Sequence, residues 1–182
     1  RYELAIDHYS TLLSPNAMAS ASLLAKARYG LGYAFYNTQQ YDRALFNFKE
    51  FVNKTAKTDA NYPDGLLRMA DCQYVSKQYN EALATYRQVL QTTSPDKDYA
   101  HLQAGIILGI QRKYAEAQGA LTQVVKNFPQ SGYREEAFFQ LAQLDFEQGK
   151  YAQAVTGYGR VIETNASSRF VPYAYMRRAA SY

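Results

Sequence analysis

The chain has 182 residues, of which 47% are hydrophobic and 15% aromatic, with 18 tyrosines, 9 phenylalanines and no tryptophan. Its 20 basic and 16 acidic side chains leave a formal charge of +4, but they alternate, as in Asp42-Arg43 and Arg134-Glu135-Glu136, without the basic clustering that marks a nucleic-acid binder. No apolar run approaches the roughly 20 residues that span a bilayer, so no membrane insertion by this segment is expected, and the single cysteine, Cys72, excludes an internal disulfide or a multi-cysteine metal site.

The first element is under way near Arg1, which no methionine precedes, and this predicts a segment of a longer chain. Tyr2, Ala5, Tyr9 and Leu12 share one helical face. A second helix carries Gly30-Leu31-Gly32, and a polar turn at Thr38-Gln39-Gln40 leads into QYDRALFNFKEF (40–51). That frame returns as QYNEALATY (78–86), KYAEAQGAL (113–121) and KYAQAVTGY (150–158), which sets Ala44, Ala82, Ala117 and Ala154 at intervals of 38, 35 and 37 residues. Four residues beyond each alanine stand Phe48, Tyr86, Leu121 and Tyr158; seven beyond stand Phe51, Val89, Val124 and Val161. Twelve before each alanine the residue is again small: Gly32, Ala70, Gly105 and Ala142. Each repeat therefore reads as two amphipathic helices with a small residue where one crosses the other.

Punctuation supports this reading. Lys77-Gln78, Arg112-Lys113 and Gln148-Gly149-Lys150 separate the helices of later pairs, and Gly149 is expected at positive φ in a helix C-terminus. Ser94-Pro95-Asp96 and Phe128-Pro129-Gln130-Ser131 separate the pairs themselves, while Lys57 to Pro63 absorbs the longest interval. The tail PYAYMRRAASY repeats the first-helix pattern, with Ala179 standing 37 residues after Ala142. The expected architecture is all-α and a single array: half a repeat at about 1–14, whole repeats at about 18–56, 62–93, 97–128 and 131–165, and half a repeat at about 170–182. Neither end carries a polar cap, which predicts self-association through the uncapped ends.

No catalytic constellation, cofactor motif or metal site is expected. His8 and His101 are too far apart in a stacked array to share a ligand, and His101 falls on a first-helix core position. Gly30-Leu31-Gly32 lacks the third glycine of a phosphate loop, so close packing explains it. Glu135-Glu136 suit the first turn of a helix. The sequons Asn53-Lys54-Thr55 and Asn165-Ala166-Ser167 are at chance level, and Cys72 reads as a small, partly buried thiol.

With these residues in place, the chain resembles the tetratricopeptide repeat family over essentially its whole length, which implies an α-α superhelix. Arg28, Leu66, His101 and Phe138 stand where the family has a first-helix tryptophan, and Phe35, Gln73, Leu108 and Asp145 where it has a tyrosine. Leu121 replaces the second-helix aromatic. The closing proline is present as Pro129, shifted by one at Pro95, and absent after the first and fourth whole repeats. The phrase NFPQSGYREEAFFQLAQ (127–143) is similar to bacterial envelope repeat proteins, such as outer-membrane assembly lipoproteins and the periplasmic Tol–Pal coordinator. It implies a periplasmic or outer-membrane-associated scaffold in a Gram-negative bacterium, with a cytoplasmic location as the alternative.

The resemblance also implies a ligand groove on the concave face, lined by the first helices. One and four residues beyond each small position lie Tyr33 and Tyr36, Asp71 and Tyr74, Ile106 and Gly109, then Gln143 and Phe146; three before lie Tyr29, Leu67, Leu102 and Phe139. The family's two-carboxylate clamp would use Tyr29, Tyr33, Arg68, Tyr99 and Gln103, of which Arg68 alone is cationic, so the clamp is not expected. The expected partner-binding residues are Tyr29, Tyr33, Tyr36, Arg68, Asp71, Tyr74, Phe139, Gln143 and Phe146, and they suit a peptide or partner helix. The expected function is a non-enzymatic protein-interaction scaffold. A spacer that positions flanking domains and an accessory segment of a larger enzyme are the alternatives.

Overall fold

Amphipathic runs of this length, joined by short polar turns, fold into helix–turn–helix pairs. In the computed structural model, which describes residues 2–14, 19–164 and 167–182, the regular elements among the described residues are ten helices. The second sequon, Asn165-Ala166-Ser167, lies partly outside the described residues. The helices group into two compact units, Arg1–Ser94 and Pro95–Tyr182. The first unit contains α1 (Tyr2–Leu12), α2 (Ala21–Asn37), α3 (Tyr41–Lys54), α4 (Tyr62–Val75) and α5 (Tyr79–Val89). The second contains α6 (Lys97–Ile110), α7 (Tyr114–Asn127), α8 (Arg134–Glu147), α9 (Tyr151–Thr164) and α10 (Val171–Ala179).

The repeated alanines Ala44, Ala82, Ala117 and Ala154 are all fully buried. Opposite them the first-helix small residue receives the large residue four beyond the alanine. A Cβ on Gly32 would stand 2.7 Å from the Phe48 ring, and one on Gly105 would stand 2.6 Å from Leu121 Cγ. A second small row, which the sequence reading missed, lies five residues before the first: Ala27, Gly65, Ala100, Ala137 and Ala174 are all buried. At Gly65 this row receives the preceding second helix, α3, for a Cβ there would meet the Phe51 ring at 2.6 Å. In α10 this second row is the one in use. Ala174 is buried in a cluster with Tyr158 and Val161, whereas Ala179, expected at the crossing, is exposed. The crossing row is covered by the second helix of its own pair, and among the described residues α10 has none.

Turns within pairs repeat one device. Gln39, Lys77, Arg112 and Gly149 have φ of 59°, 60°, 58° and 72°. The next residue donates its N–H to the carbonyl five residues before it: Gln40 to Phe35, Gln78 to Gln73, Lys113 to Leu108 and Lys150 to Asp145, at 2.8 to 2.9 Å. These bonds satisfy helix-end carbonyls and offset the roughly 1 kcal/mol that a left-handed conformation costs each non-glycine residue. Gly149 avoids that cost.

The positions that depart from the family pattern are filled differently in each repeat. Arg28 donates to Asn47 Oδ1 at 3.1 Å, Leu66 is buried, the His101 ring lies 6.2 Å from that of Phe128, and Phe138 is flanked by Arg134 and Arg160. Where the family has a tyrosine, Gln73 accepts from the Thr85 hydroxyl at 2.7 Å, Asp145 accepts from Gln118 at 3.1 Å, and the Arg43 guanidinium covers Phe35 at 4.1 Å. Burial lowers the His101 pKa, as fits a structural imidazole.

Ala44 packs with Leu31, Phe35 and Phe48 in the core of the first unit. Ala44→Leu is expected to overpack the crossing and cost about 1–3 kcal/mol, read as a lowered thermal midpoint; an unchanged midpoint would refute the crossing. Cys72 is fully buried, and burial together with Asp71 pushes its thiol up to about 12. It is expected to resist a thiol-reactive dye in the native protein and to react fully in denaturant, so rapid native labelling would contradict its placement.

Candidate functional site

In the first unit, Tyr29 and Tyr33 lie one turn apart on α2, and both hydroxyls donate to Asp64 Oδ2 on α4, that of Tyr29 at 2.7 Å. Asp64 Oδ1 lies 3.6 Å from Arg68 Nε, one turn along α4. Arg68 donates in turn to Asp71 Oδ2, and Asp71 Oδ1 accepts from the Tyr86 hydroxyl on α5 at 2.7 Å. The result is a carboxylate–guanidinium–carboxylate chain with tyrosines at its ends. Rings enclose it: Tyr29 meets Tyr33 edge-on at 5.1 Å and Phe51 at 4.9 Å, Tyr33 meets Phe48 at 5.4 Å, and Arg68 lies 5.9 Å over Tyr36.

Burial and then the hydrogen bond to Asp64 push the Tyr33 phenol up to about 12, and the same causes raise Tyr29 further. Burial works against the Arg68 charge, but Asp71, Tyr33 and Asp64 together raise its pKa. These groups therefore hold their protons at neutral pH. The cluster fixes its side chains in place.

The structure thus brings Tyr29, Tyr33, Tyr36, Arg68 and Asp71 together in one cluster, while Tyr74 stands apart against Tyr79 at 5.8 Å. Asp71, 3% exposed, lies beneath the surface and holds Arg68 from below. Leu67 and Leu102, expected on the same face, are buried, because an aliphatic at that position fits within the packed helices whereas a tyrosine carries its hydroxyl out to Asp64. Asp64, the hub, was missed. In the sequence it reads as an ordinary acid in a helix's first turn, and nothing links it to Tyr29, 35 residues earlier.

In the second unit, Phe139 stacks on Phe170 at 5.5 Å and tilts against Tyr158 at 5.6 Å. Gln143 Oε1 accepts from the Tyr158 hydroxyl at 2.9 Å, and its Nε2 donates to Glu147 at 3.0 Å. Phe146 meets Tyr151 edge-on at 5.6 Å beneath the Arg177 guanidinium. A cleft of about 760 Å³ opens between α8 and α10, lined by Phe139, Gln143, Phe170, Tyr173, Met176 and Arg177 among others. Met176 was legible in principle, for it stands three before Ala179 as Tyr29 and Phe139 stand before their own small residues. Among the described residues no group of three or more His, Cys, Asp or Glu could hold a metal ion, and no helix is long and apolar enough to cross a membrane.

Two family models, both described as tetratricopeptide repeat, match residues 39–106 and 102–170. No curated protein matches the chain in sequence. Among solved structures, YrrB, described as a TPR protein with an unusual peptide-binding site, matches with a TM-score of 0.79 at 17% identity over 96% of this chain and 84% of its own. The C-terminal part of a TPR repeat-containing protein from Cytophaga hutchinsonii matches at 0.76 and 16% identity, over 99% of this chain and 65% of its own. MamA 41-end from Desulfovibrio magneticus RS-1 matches at 0.68 and 17% identity, over 92% of this chain and 97% of its own. Likeness at these identities is likeness of fold.

The cluster of the first unit ranks its own substitutions. Asp71→Ala leaves the half-buried Arg68 against a single, more distant carboxylate and is expected to cost about 3 kcal/mol. Asp64→Asn sits at a more exposed site and keeps an acceptor for the tyrosines, so about 1 kcal/mol is expected. Urea unfolding of the two variants reads the order, and an equal or reversed cost would show that Asp71 is not the inner partner.

Proposed function

This chain belongs to the tetratricopeptide repeat family, and from that premise we propose that it is a non-enzymatic scaffold that holds a peptide or helix of a partner protein on its first-helix faces. The observation that carries this reading is that Tyr29, Tyr33, Tyr36, Phe139 and Phe146 stay partly open to solvent while neighbouring rings and hydrogen bonds hold several of them in place. Rings ordered before binding lose little side-chain entropy on contact, and their faces take apolar and cationic groups alike. The likeness to YrrB, described as having a peptide-binding site, supports the same reading.

The test compares what the wild type recovers from the source organism's lysate with what a Tyr36→Ala/Phe146→Ala variant recovers. That variant removes one ring from each unit and leaves the tyrosine–Asp64 hydrogen bonds intact. Phe46→Ala, at an exposed ring on the second helix α3, is the control. A partner bound by the wild type and the control, but about tenfold more weakly by the double variant at equal helicity, is the expected result. Equal recovery by all three would remove the first-helix faces from the binding surface.

A further inference from the structure

Three of the four helix pairs close their open edge with the same aromatic contact. Tyr36 meets Tyr41 edge-on at 5.7 Å, Tyr74 meets Tyr79 at 5.8 Å, and Phe146 meets Tyr151 at 5.6 Å. In each case an aromatic four residues beyond the small position faces the tyrosine that opens the second helix. The remaining pair keeps the opening tyrosine as Tyr114 but has Gly109 in the facing place. A cavity of about 400 Å³ lies there, bordered by Ile106, Gly109, Tyr114, Gln140, Gln143 and Glu147. A Cβ on Gly109 would meet only the end of the Leu144 side chain, at 3.1 Å.

The same comparison exposes a second missing group. Arg68 stands two residues before Ala70, and its carboxylate partners Asp64 and Asp71 stand six before and one after. Arg177 stands two before Ala179, in the same register, but the matching places hold Tyr173 and Ala180. The Arg177 guanidinium lies over Phe146, and among the described residues it makes no ion pair. It lines the cleft between α8 and α10, which shares Gln140 and Gln143 with the cavity at Gly109. The other charged group of that cleft, Arg169, is bridged to Glu136 at 3.1 Å.

We propose that this trough of the second unit binds an extended peptide that supplies both missing groups: an aromatic side chain in the Gly109 slot and a carboxylate on Arg177. The aromatic completes the edge-on contact with Tyr114 that the other pairs make internally. The carboxylate meets a guanidinium that is arranged like Arg68 but lacks its acids. Arg112 and Glu147 both border the slot, so its own charges balance, and the cation left for the carboxylate is Arg177 on α10. This inference rests on the scaffold reading and narrows it to one face and one ligand chemistry.

Fluorescence anisotropy of three labelled decapeptides on a Gly/Ser/Asn background tests it. One carries a central phenylalanine with an aspartate pair near each end, one has serine for the phenylalanine, and one has lysines for the aspartates. The phenylalanine–aspartate peptide is expected to bind at least about tenfold tighter than either other. Gly109→Phe, which gives this pair the ring its siblings have, should keep or raise the thermal midpoint and reduce affinity to that of the serine peptide. Arg177→Glu, at an exposed side chain, should reverse the preference between aspartate and lysine peptides, and it decides the matter alone if Gly109→Phe does not fold. Equal binding of the three peptides, no binding of any, or full affinity in both variants would overturn the proposal. A lysate partner lost with the Tyr36→Ala/Phe146→Ala variant yet retained by Gly109→Phe would leave the scaffold reading standing and remove only this one.

Discussion

Everything in this fold depends on how closely two helices can cross. A glycine or alanine on each first helix lets the large residue of its second helix seat against the backbone, so Phe48 lies where a Cβ on Gly32 would be and Leu121 where one on Gly105 would be. Dispersion contacts decay within an ångström of the optimum, so a methyl group in the wrong place forfeits the seat rather than weakening it. The second small row extends the principle from the pair to the stack, with Phe51 against Gly65. In the first unit Phe48 and Phe51 are thus each seated on a glycine of a first helix.

That division of labour leaves one face of each first helix free. Residues one and four beyond the crossing are not needed for it, and they include Tyr33, Tyr36, Tyr74, Gln143 and Phe146. In the first unit this free face turns polar within reach of the core. Asp71 is buried, yet it accepts from Arg68 and Tyr86, which makes a buried charge tolerable. The arrangement is a constraint as much as a stabiliser, because a buried ion pair contributes little net energy compared with apolar packing but penalises any other arrangement of its members. It fixes where Tyr29 and Tyr33 point.

Periodicity made most of the fold legible. The four alanines recur in register and their neighbours alternate large and small, so both helices of each pair and the turns between them could be read from one chain. The second small row was equally present but masked, since Gly65 lies beside Pro63 and Asp64, and Ala137 follows Glu135-Glu136, where helix-start signals dominate. Ala179 was assigned to the crossing by its interval from Ala142, but an interval does not reveal whether a second helix covers the position. The candidate site was legible only as a list of residues on a face. Hydrogen bonds spanning more than thirty residues, as from Tyr29 and Tyr33 to Asp64, arise from stacking geometry and leave no mark in local spacing.

The two units use one scaffold for two chemistries. In the first, the acids and the guanidinium satisfy one another, and the tyrosines donate into the same cluster. In the second, the register that holds Asp64 and Asp71 beside Arg68 holds Tyr173 and Ala180 beside Arg177, and the place of an aromatic is taken by Gly109. Each substitution removes a group without removing its partner, since Tyr114 and Arg177 both remain. A repeat protein reveals such omissions because its other repeats show what a completed position looks like. Where a partner group persists without its complement, as at Tyr114 and Arg177, the proposed peptide would supply it.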